Sequence, residues 1–254
     1  MKNFDRAELT VGDAKVVMYT AGQGEPLLFL HGAGTFHGFE FAEAWVKQYR
    51  VILPYHPGWG ESPADPDMSE AQDYVMHYVQ LLDALQLAQV NLVGFSLGGY
   101  LAAKFASQFP ERVRKLVLVA PAGMRDDEHP AADVLGLPPE QLLPMLASNF
   151  DVVAKHLPKQ PDLDFMGDRY REATATARLF WDRPWDPKLP RYLHRAGMPV
   201  LLLWGNEDKI IPAAQAGRWQ ALLPSAKLHT YDGAGHLLLD EQMEAVRAVA
   251  AFFA

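Results

Sequence analysis

The sequence contains no cysteine among its 254 residues. This absence excludes disulfides, thiolate nucleophiles and cysteine-based metal sites together. It is consistent with a reducing compartment, where disulfides are rare. Any nucleophilic catalysis by this chain must therefore use a different side chain.

Basic runs and long apolar runs are also missing. The formal net charge is −8 and no segment is rich in lysine and arginine, so we expect no nucleic-acid partner. The most apolar stretches, such as Met198–Gly205 (MPVLLLWG), are too short to cross a bilayer. The first residues, MKNFDRAELTVGD, carry charges where a signal peptide needs an apolar segment. We therefore expect a cytoplasmic protein without a membrane partner.

What the chain does contain is an ordinary globular composition, with 49% hydrophobic and 21% charged residues. Short apolar runs typical of buried strands alternate with helical patterns. The alternation predicts an α/β fold, in which a mostly parallel central sheet carries helices on both faces. The predicted strands are Lys15–Thr20, Leu27–Leu30, Arg50–Leu53, Val90–Phe95, Val113–Ala120, Pro199–Trp204 and Lys227–Tyr231; the predicted helices are Glu40–Gln48, Ser69–Leu85 with Ser69 as its N-cap, Leu97–Phe109 and Leu237–Phe253.

The strand rhythm stops after Pro121 and returns at Pro199. Residues 121–195 are rich in proline, methionine and tryptophan and show helical patterns without a clear strand. We interpret this segment as a helical insertion over one edge of an open parallel sheet, between the two parts of a core domain made of residues 1–120 and 196–254.

One serine lies at a glycine-flanked corner between a predicted strand and a predicted helix. Gly94–Gly98 reads G-F-S-L-G, and this context favours a strained elbow that holds the Ser96 hydroxyl above the carboxyl ends of the strands. The alternative is a plain strand-to-helix turn with Ser96 as a helix cap. The pentapeptide by itself does not decide between the two.

A serine nucleophile needs a base within hydrogen-bond reach, and the base needs a carboxylate to hold its tautomer. Among nine histidines, His236 lies on a glycine-rich loop (DGAGHLLLD) between the last predicted strand and the last helix. Asp208 follows another strand, with Glu207 beside it as a second acid. We favour Asp208, since Ser96, Asp208 and His236 then follow successive strand ends at one edge of the sheet.

Several motifs in this order make the chain resemble the α/β-hydrolase fold family, in the branch of serine esterases and C–C hydrolases with a helical cap. The resemblance covers nearly the whole length and is carried by the loop His31–Gly34 (HGAG), Pro57–Ser62 (PGWGES), Gly94–Gly99 (GFSLGG), Gly205–Asp208 (GNED) and Gly233–His236 (GAGH). The family's chain order of nucleophile, acid and histidine is the order found here.

The resemblance implies roles for particular residues. Ser96, Asp208 and His236 fall on the triad motifs. The backbone N–H groups of Leu97 and of Ala33, or of the adjacent Gly34, would stabilise the oxyanion. The resemblance also implies that residues 121–195 form a helical cap, which would exclude water from the site and shape an apolar pocket. It implies further that no metal or organic cofactor is needed.

The surroundings of the triad predict the character of the substrate. Phe95 precedes the nucleophile and Leu237 follows the base, which indicates an apolar acyl or alcohol group near the chemistry. We also expect His37 and the cap residue Trp181 to contact substrate. His31 is expected to be structural.

We expect a carboxylic ester hydrolase that acts on a small-molecule ester. A C–C bond hydrolase of aromatic degradation is the alternative, although such enzymes usually carry Asn before the nucleophile and Trp after the base, where Phe95 and Leu237 stand here. Lactone hydrolysis and perhydrolysis are variants that the sequence does not separate. A slow-turnover ligand receptor that retains the triad is less favoured, and the oligomeric state stays open.

Overall fold

The structure is a computed structural model that describes residues 3–254. Its central feature is one eight-stranded sheet with the strand order β1-β2-β4-β3-β5-β6-β7-β8. Strands β3 to β8 are parallel, and β2 joins them antiparallel through β4. The strands are β1 (Asp5–Val11), β2 (Ala14–Ala21), β3 (Glu25–Leu30), β4 (Tyr49–Pro54), β5 (Val90–Phe95), β6 (Val113–Val119), β7 (Val200–Gly205) and β8 (Ala226–Tyr231).

Helices connect the strands and cover both faces of the sheet. They are α1 (Ala71–Ala84), α2 (Leu97–Gln108), α3 (Pro139–Leu142), α4 (Asp151–Ala154), α5 (Leu163–Phe180), α6 (Leu189–Tyr192), α7 (Ala216–Leu222), α8 (Leu238–Glu241) and α9 (Met243–Phe253). Within residues 3–254, no helix combines the length and the apolar character needed to span a membrane.

Alternate residues of the central strands point to opposite faces, as the period of a strand requires. In β6, Leu116 and Leu118 pack into the apolar cluster that contains α1 and α2. Val117 and Val119 pack into the second cluster, which contains α9. The predicted fold class, a mostly parallel sheet with helices on both faces, is thus confirmed.

Strand β1 was not predicted, because its residues are mostly exposed or half-buried and carry no apolar run. It pairs antiparallel with β2 across a tight turn at Gly12 and forms the edge of the sheet. Helix α7, also not predicted, is seven residues long and buries Trp219. In both cases a short element is fixed by its neighbours more than by its own pattern.

Three predicted helices differ from those observed. Instead of a helix over Glu40–Gln48, a 3-10 helix (Glu40–Ala44) is followed by turns, since the buried Trp45 indole donates to the Val246 carbonyl. The N-cap of α1 is Glu70 and not Ser69. The Asp73 carboxylate accepts the backbone N–H groups of Ser69 and Glu70. The last helix is divided into α8 and α9 at the extended residue Gln242.

The chain between β6 and β7 contains the helices α3 to α6 and 3-10 turns, and adds no strand to the sheet within the described residues. Its longest helix, α5, contacts the loops that follow β3 and β4. The boundaries of a separate cap at residues 121 and 195 stay a prediction.

Candidate active site

The chain turns sharply between β5 and α2, and Ser96 occupies the corner with φ 52° and ψ −116°. A non-glycine residue in this region is strained and persists only where its surroundings fix it. A Cβ on Gly94 would lie 2.4 Å from the Gly98 carbonyl oxygen, and one on Gly98 would lie 2.1 Å from the Leu30 carbonyl oxygen. Both glycines are therefore required for the close approach of α2 to the strands. This geometry fits the elbow and not a helix cap, because the Ser96 side chain forms no capping bond.

Asp208 and His236 lie at the same edge of the sheet as Ser96. Asp208 follows β7 and His236 follows β8, while Ser96 follows β5. Strand β6 lies between β5 and β7, so the three residues do not follow successive strands as predicted. The loops after β7 and β8 are long enough to bring the two side chains back to the serine.

The three side chains form a hydrogen-bonded chain. His236 Nδ1 lies 2.8 Å from Asp208 Oδ2, and His236 Nε2 lies 2.9 Å from Ser96 Oγ. Because a carboxylate only accepts, Nδ1 carries the proton and Nε2 is free to accept from the serine hydroxyl. Ser96, Asp208 and His236 are all buried. The arrangement can remove a proton from the serine oxygen, which is what a weak alcohol nucleophile requires.

The second oxygen of Asp208 fixes the orientation of the carboxylate. Oδ1 accepts the backbone N–H groups of Ile210 and Ile211, each at 2.8 Å. Neighbouring Glu207 is directed elsewhere and accepts the Ser148 hydroxyl at 2.5 Å. Of the two acids considered from the sequence, the structure brings Asp208 to the histidine.

Backbone donors are available beside Ser96. The N–H groups of Leu97, at the first position of α2, and of Ala33 have no hydrogen-bond acceptor within residues 3–254. The first N–H groups of a helix are unpaired in this way and attract negative charge. The loop that carries Ala33 lies close to the elbow, since a Cβ on Gly32 would be 3.3 Å from the Ser96 Cβ.

A buried histidine pair supports this loop from below. His31 Nδ1 donates to the Gly32 carbonyl at 2.7 Å, and Nε2 accepts the His56 backbone N–H at 3.0 Å. Burial, reinforced by nearby His56, holds the pKa of His31 well below its usual range. Burial likewise lowers the pKa of His56 to about 3. Both rings are therefore neutral at pH 7 and structural, and the role of His56 was not recognised from the sequence.

A narrow cavity without room for a water molecule lies beside the triad, and it is lined by His37, Phe41, Phe95, Leu237, Leu239 and Asp240. The Phe95 ring lies 4.9 Å from the His236 ring, centroid to centroid. His37 Nδ1 lies 3.2 Å from Asp240 Oδ2 at the same cavity. The structure thus brings together three of the predicted pocket residues, His37, Phe95 and Leu237.

Trp181, the fourth predicted pocket residue, lies elsewhere. It follows the C-terminal end of α5 and is 77% exposed. The side of α5 that faces the core instead presents Glu172, Ala175 and Thr176. Trp181 therefore does not line the cavity beside the triad, and its contact with substrate stays a prediction.

Glu172 was not recognised from the sequence, although it is a carboxylate that is only 2% exposed. A glutamate within a helical pattern gives no signal that separates it from a solvated one. Metal ligands were considered as well: in the part of the chain that the structure describes, no three His, Asp or Glu side chains are arranged to share an ion.

Comparison with known proteins adds independent information. Residues 27–249 match the model of the alpha/beta hydrolase family. The chain is 27% identical to 2-hydroxy-6-oxo-2,4-heptadienoate hydrolase of Pseudomonas putida over 251 residues, which covers 91% of this chain and 89% of that protein.

Two solved structures share the fold. A serine hydrolase from the polyaromatic hydrocarbon-degrading bacterium Cycloclasticus zankles has a TM-score of 0.82 at 19% identity, covering 99% of this chain and 98% of that one. Naproxen esterase from Bacillus subtilis has a TM-score of 0.78 at 20% identity, covering 99% and 92% of the two chains.

Proposed function

Because the chain belongs to the alpha/beta hydrolase family, we propose that it is a serine hydrolase that cleaves carboxylic esters of small, largely apolar substrates. The proposal rests above all on the hydrogen-bonded chain from Asp208 through His236 to Ser96. A serine and a histidine without a shared role are not expected to be buried together, hydrogen-bonded to each other and held by a fixed carboxylate. The same three groups form the serine, histidine and aspartate triad that performs acyl transfer through a serine.

The reaction proceeds in two halves. Ser96 Oγ attacks the ester carbonyl carbon as His236 Nε2 takes the hydroxyl proton, and the carbonyl oxygen becomes an oxyanion. The N–H groups of Leu97 and Ala33 stabilise that charge. The tetrahedral intermediate expels the alcohol oxygen, which receives the proton from His236, and an acyl group remains on Ser96. Asp208 stabilises the imidazolium each time it forms.

Water completes the cycle. A water molecule attacks the acyl carbonyl while His236 Nε2 accepts its proton. Collapse of the second intermediate returns the proton to Ser96 Oγ and releases the carboxylic acid. Both halves form an oxyanion and therefore depend on the same two backbone N–H groups. Each of these donors lowers the free energy of the transition state by roughly 3–4 kcal/mol.

The cavity beside the triad supports a small apolar group. Phe41, Phe95, Leu237 and Leu239 supply most of its wall. The cavity has no room for a water molecule, so its walls must move to admit a ligand, and a short acyl or alcohol group requires the smallest movement.

C–C bond hydrolysis is the second candidate, and the name of the Pseudomonas putida relative favours it. A dienoate substrate would bring a carboxylate to the triad. The cavity lining contains neither lysine nor arginine to pair with that carboxylate, and its one acid, Asp240, already faces His37 Nδ1 at 3.2 Å. This lining supports the ester over the dienoate. Lactones and peroxyacid formation use the same acyl-enzyme and stay variants of the first proposal.

A substrate panel tests the proposal. Wild type and Ser96→Ala are assayed with p-nitrophenyl esters from acetate to octanoate, with lactones, and with a dienoic C–C substrate. We expect saturable turnover of short esters that Ser96→Ala abolishes, together with loss of labelling by a fluorophosphonate probe. Faster turnover of the dienoate than of any ester would assign C–C hydrolysis instead. Binding of esters without turnover would indicate a receptor.

A further inference from the structure

Helix α5 carries a charged side chain into the protein interior. Glu172 is 2% exposed, and a buried carboxylate is costly unless charges and hydrogen-bond donors compensate it. Glu172 is none of the groups needed for acyl transfer. The identity of its partners therefore indicates why the helix places it there.

Those partners come from two loops outside the helix. Glu172 Oε1 accepts the hydroxyl of Thr35 and, at 3.2 Å, the backbone N–H of Gly60. Glu172 Oε2 accepts the backbone N–H of Thr35 at 3.3 Å. Thr35 follows β3 and lies two residues after Ala33, while Gly60 belongs to the loop after β4. One carboxylate thus joins α5 to both loops.

A second side chain of α5 holds the same loop. Arg169 lies one helical turn before Glu172, with Nη1 3.1 Å from Glu172 Oε2. Its guanidinium lies over the rings of Phe36, at 5.6 Å, and Phe165, at 5.2 Å. Cation–π contacts of this kind are attractive. Residues 35 and 36 are therefore both held by the one-turn pair Arg169–Glu172.

The loop needs this restraint because its own sequence is permissive. Ala33 lies between Gly32 and Gly34, and glycines allow many backbone conformations. On the Ala33 carbonyl side, the Trp59 indole donates at 2.9 Å. On the other side, Thr35 is anchored by Glu172. An N–H group stabilises an oxyanion only when it is held in place before the charge develops.

We propose that Glu172 is a positioning residue, which fixes the loop from Gly32 to Phe36 so that the Ala33 N–H stays directed at the carbonyl oxygen of the substrate. This inference rests on the proposed function, because it concerns the residue that holds one of the two proposed oxyanion donors in place. Losing a whole donor lowers kcat by about 10²- to 10³-fold. Loosening one is expected to lower kcat by about 10- to 100-fold.

Four variants separate positioning from a loss of folding. Thr35→Val removes the hydroxyl that Glu172 accepts and leaves the buried carboxylate with its charged partner Arg169. Thr35→Ser keeps that hydroxyl and serves as the conservative rescue. Glu172→Gln keeps the size of the side chain but removes its charge. Glu140→Gln makes the same change at an exposed glutamate of α3 and is the matched control.

Two readouts are combined. Hydrogen exchange of peptides covering residues 33–38 and 57–62 reports the amides of Thr35 and Gly60, both of which donate to Glu172. Fluorophosphonate labelling rates and steady-state kinetics with a p-nitrophenyl ester report the oxyanion donors. We expect Thr35→Val and Glu172→Gln to speed exchange in these peptides, slow labelling and lower kcat by about 10-fold or more while KM changes less than about 3-fold. Thr35→Ser and Glu140→Gln should match wild type.

Two results would overturn the proposal. Unchanged exchange in both Thr35→Val and Glu172→Gln would show that Glu172 does not hold the loop. Faster exchange with unchanged labelling rate and kcat would show that the loop position does not matter for the chemistry. A wild type that no fluorophosphonate labels would instead refute the proposed function, and the exchange data would still decide whether Glu172 anchors the loop.

Discussion

Replacing Asp208 by asparagine tests the triad, because it changes which nitrogen of His236 carries the proton. Oδ1 of Asp208 accepts the N–H groups of Ile210 and Ile211, and these donors remain in the variant. They require the asparagine oxygen at that position, because an amide NH₂ there would face two donors. The NH₂ group of the asparagine then takes the place of Asp208 Oδ2, which in the wild type lies 2.8 Å from His236 Nδ1.

The consequence is a change of tautomer. Facing a donor, Nδ1 must accept, so the proton moves to Nε2, the atom 2.9 Å from Ser96 Oγ. A protonated Nε2 is not able to take the serine proton. In a serine protease the equivalent change lowers kcat by about 10⁴-fold, or about 5 kcal/mol. We expect a loss of the same order in kcat for p-nitrophenyl acetate, with KM and the urea unfolding midpoint nearly unchanged.

The adjacent acid supplies the control. Glu207→Gln makes the same charge change one residue away, on a side chain that contacts Ser148 and not His236. We expect it to keep activity within about 3-fold of wild type. If Asp208→Asn retained kcat within about 10-fold of wild type, or if Glu207→Gln were the inactive variant, the assignment of the acid would be refuted.

Two further changes test the interior around the site. Burial lowers the pKa of His77 to about 4, so below about pH 6.5 the unfolded chain binds a proton there that the folded protein does not. Between pH 7 and pH 5, the wild type should therefore lose about 2 kcal/mol of unfolding free energy through His77, and His77→Leu should not show this loss. Urea titration at both pH values measures the difference, and identical pH dependence in the two proteins would contradict the expectation. Phe95→Ala should open the narrow cavity beside the triad and raise kcat/KM for octanoate relative to acetate, and an unchanged chain-length profile would show that the acyl group binds elsewhere.

Five of the strands that the sequence predicted, β3 to β7, are largely buried on both faces, while β8 was predicted although it is an edge strand with partly exposed residues. Runs such as Val90–Phe95 and Val113–Val119 are continuous and apolar, because a central parallel strand packs against helices on both faces. Strand β1 was missed for the complementary reason. It is an edge strand whose sequence, DRAELTV, carries three charged residues and no apolar run to detect.

The site divides along a similar line. Ser96, Asp208 and His236 were predictable because each follows a strand, and parallel strands bring their carboxyl ends to one edge. Glu172 lies on α5 and Trp181 directly follows it, and the orientation of this helix depends on contacts with distant loops. The pattern of α5 allows apolar Trp181 to be buried and charged Glu172 to be exposed, and the structure has the reverse.

Local periodicity and steric limits were enough to predict the sheet core, the elbow glycines and the order of the three triad residues. The contacts of the folded protein were needed to find which rings line the cavity and which face of α5 is buried. Each of these depends on distances between residues far apart in the chain. Their energies come from long-range packing and pairing, which a local pattern does not encode.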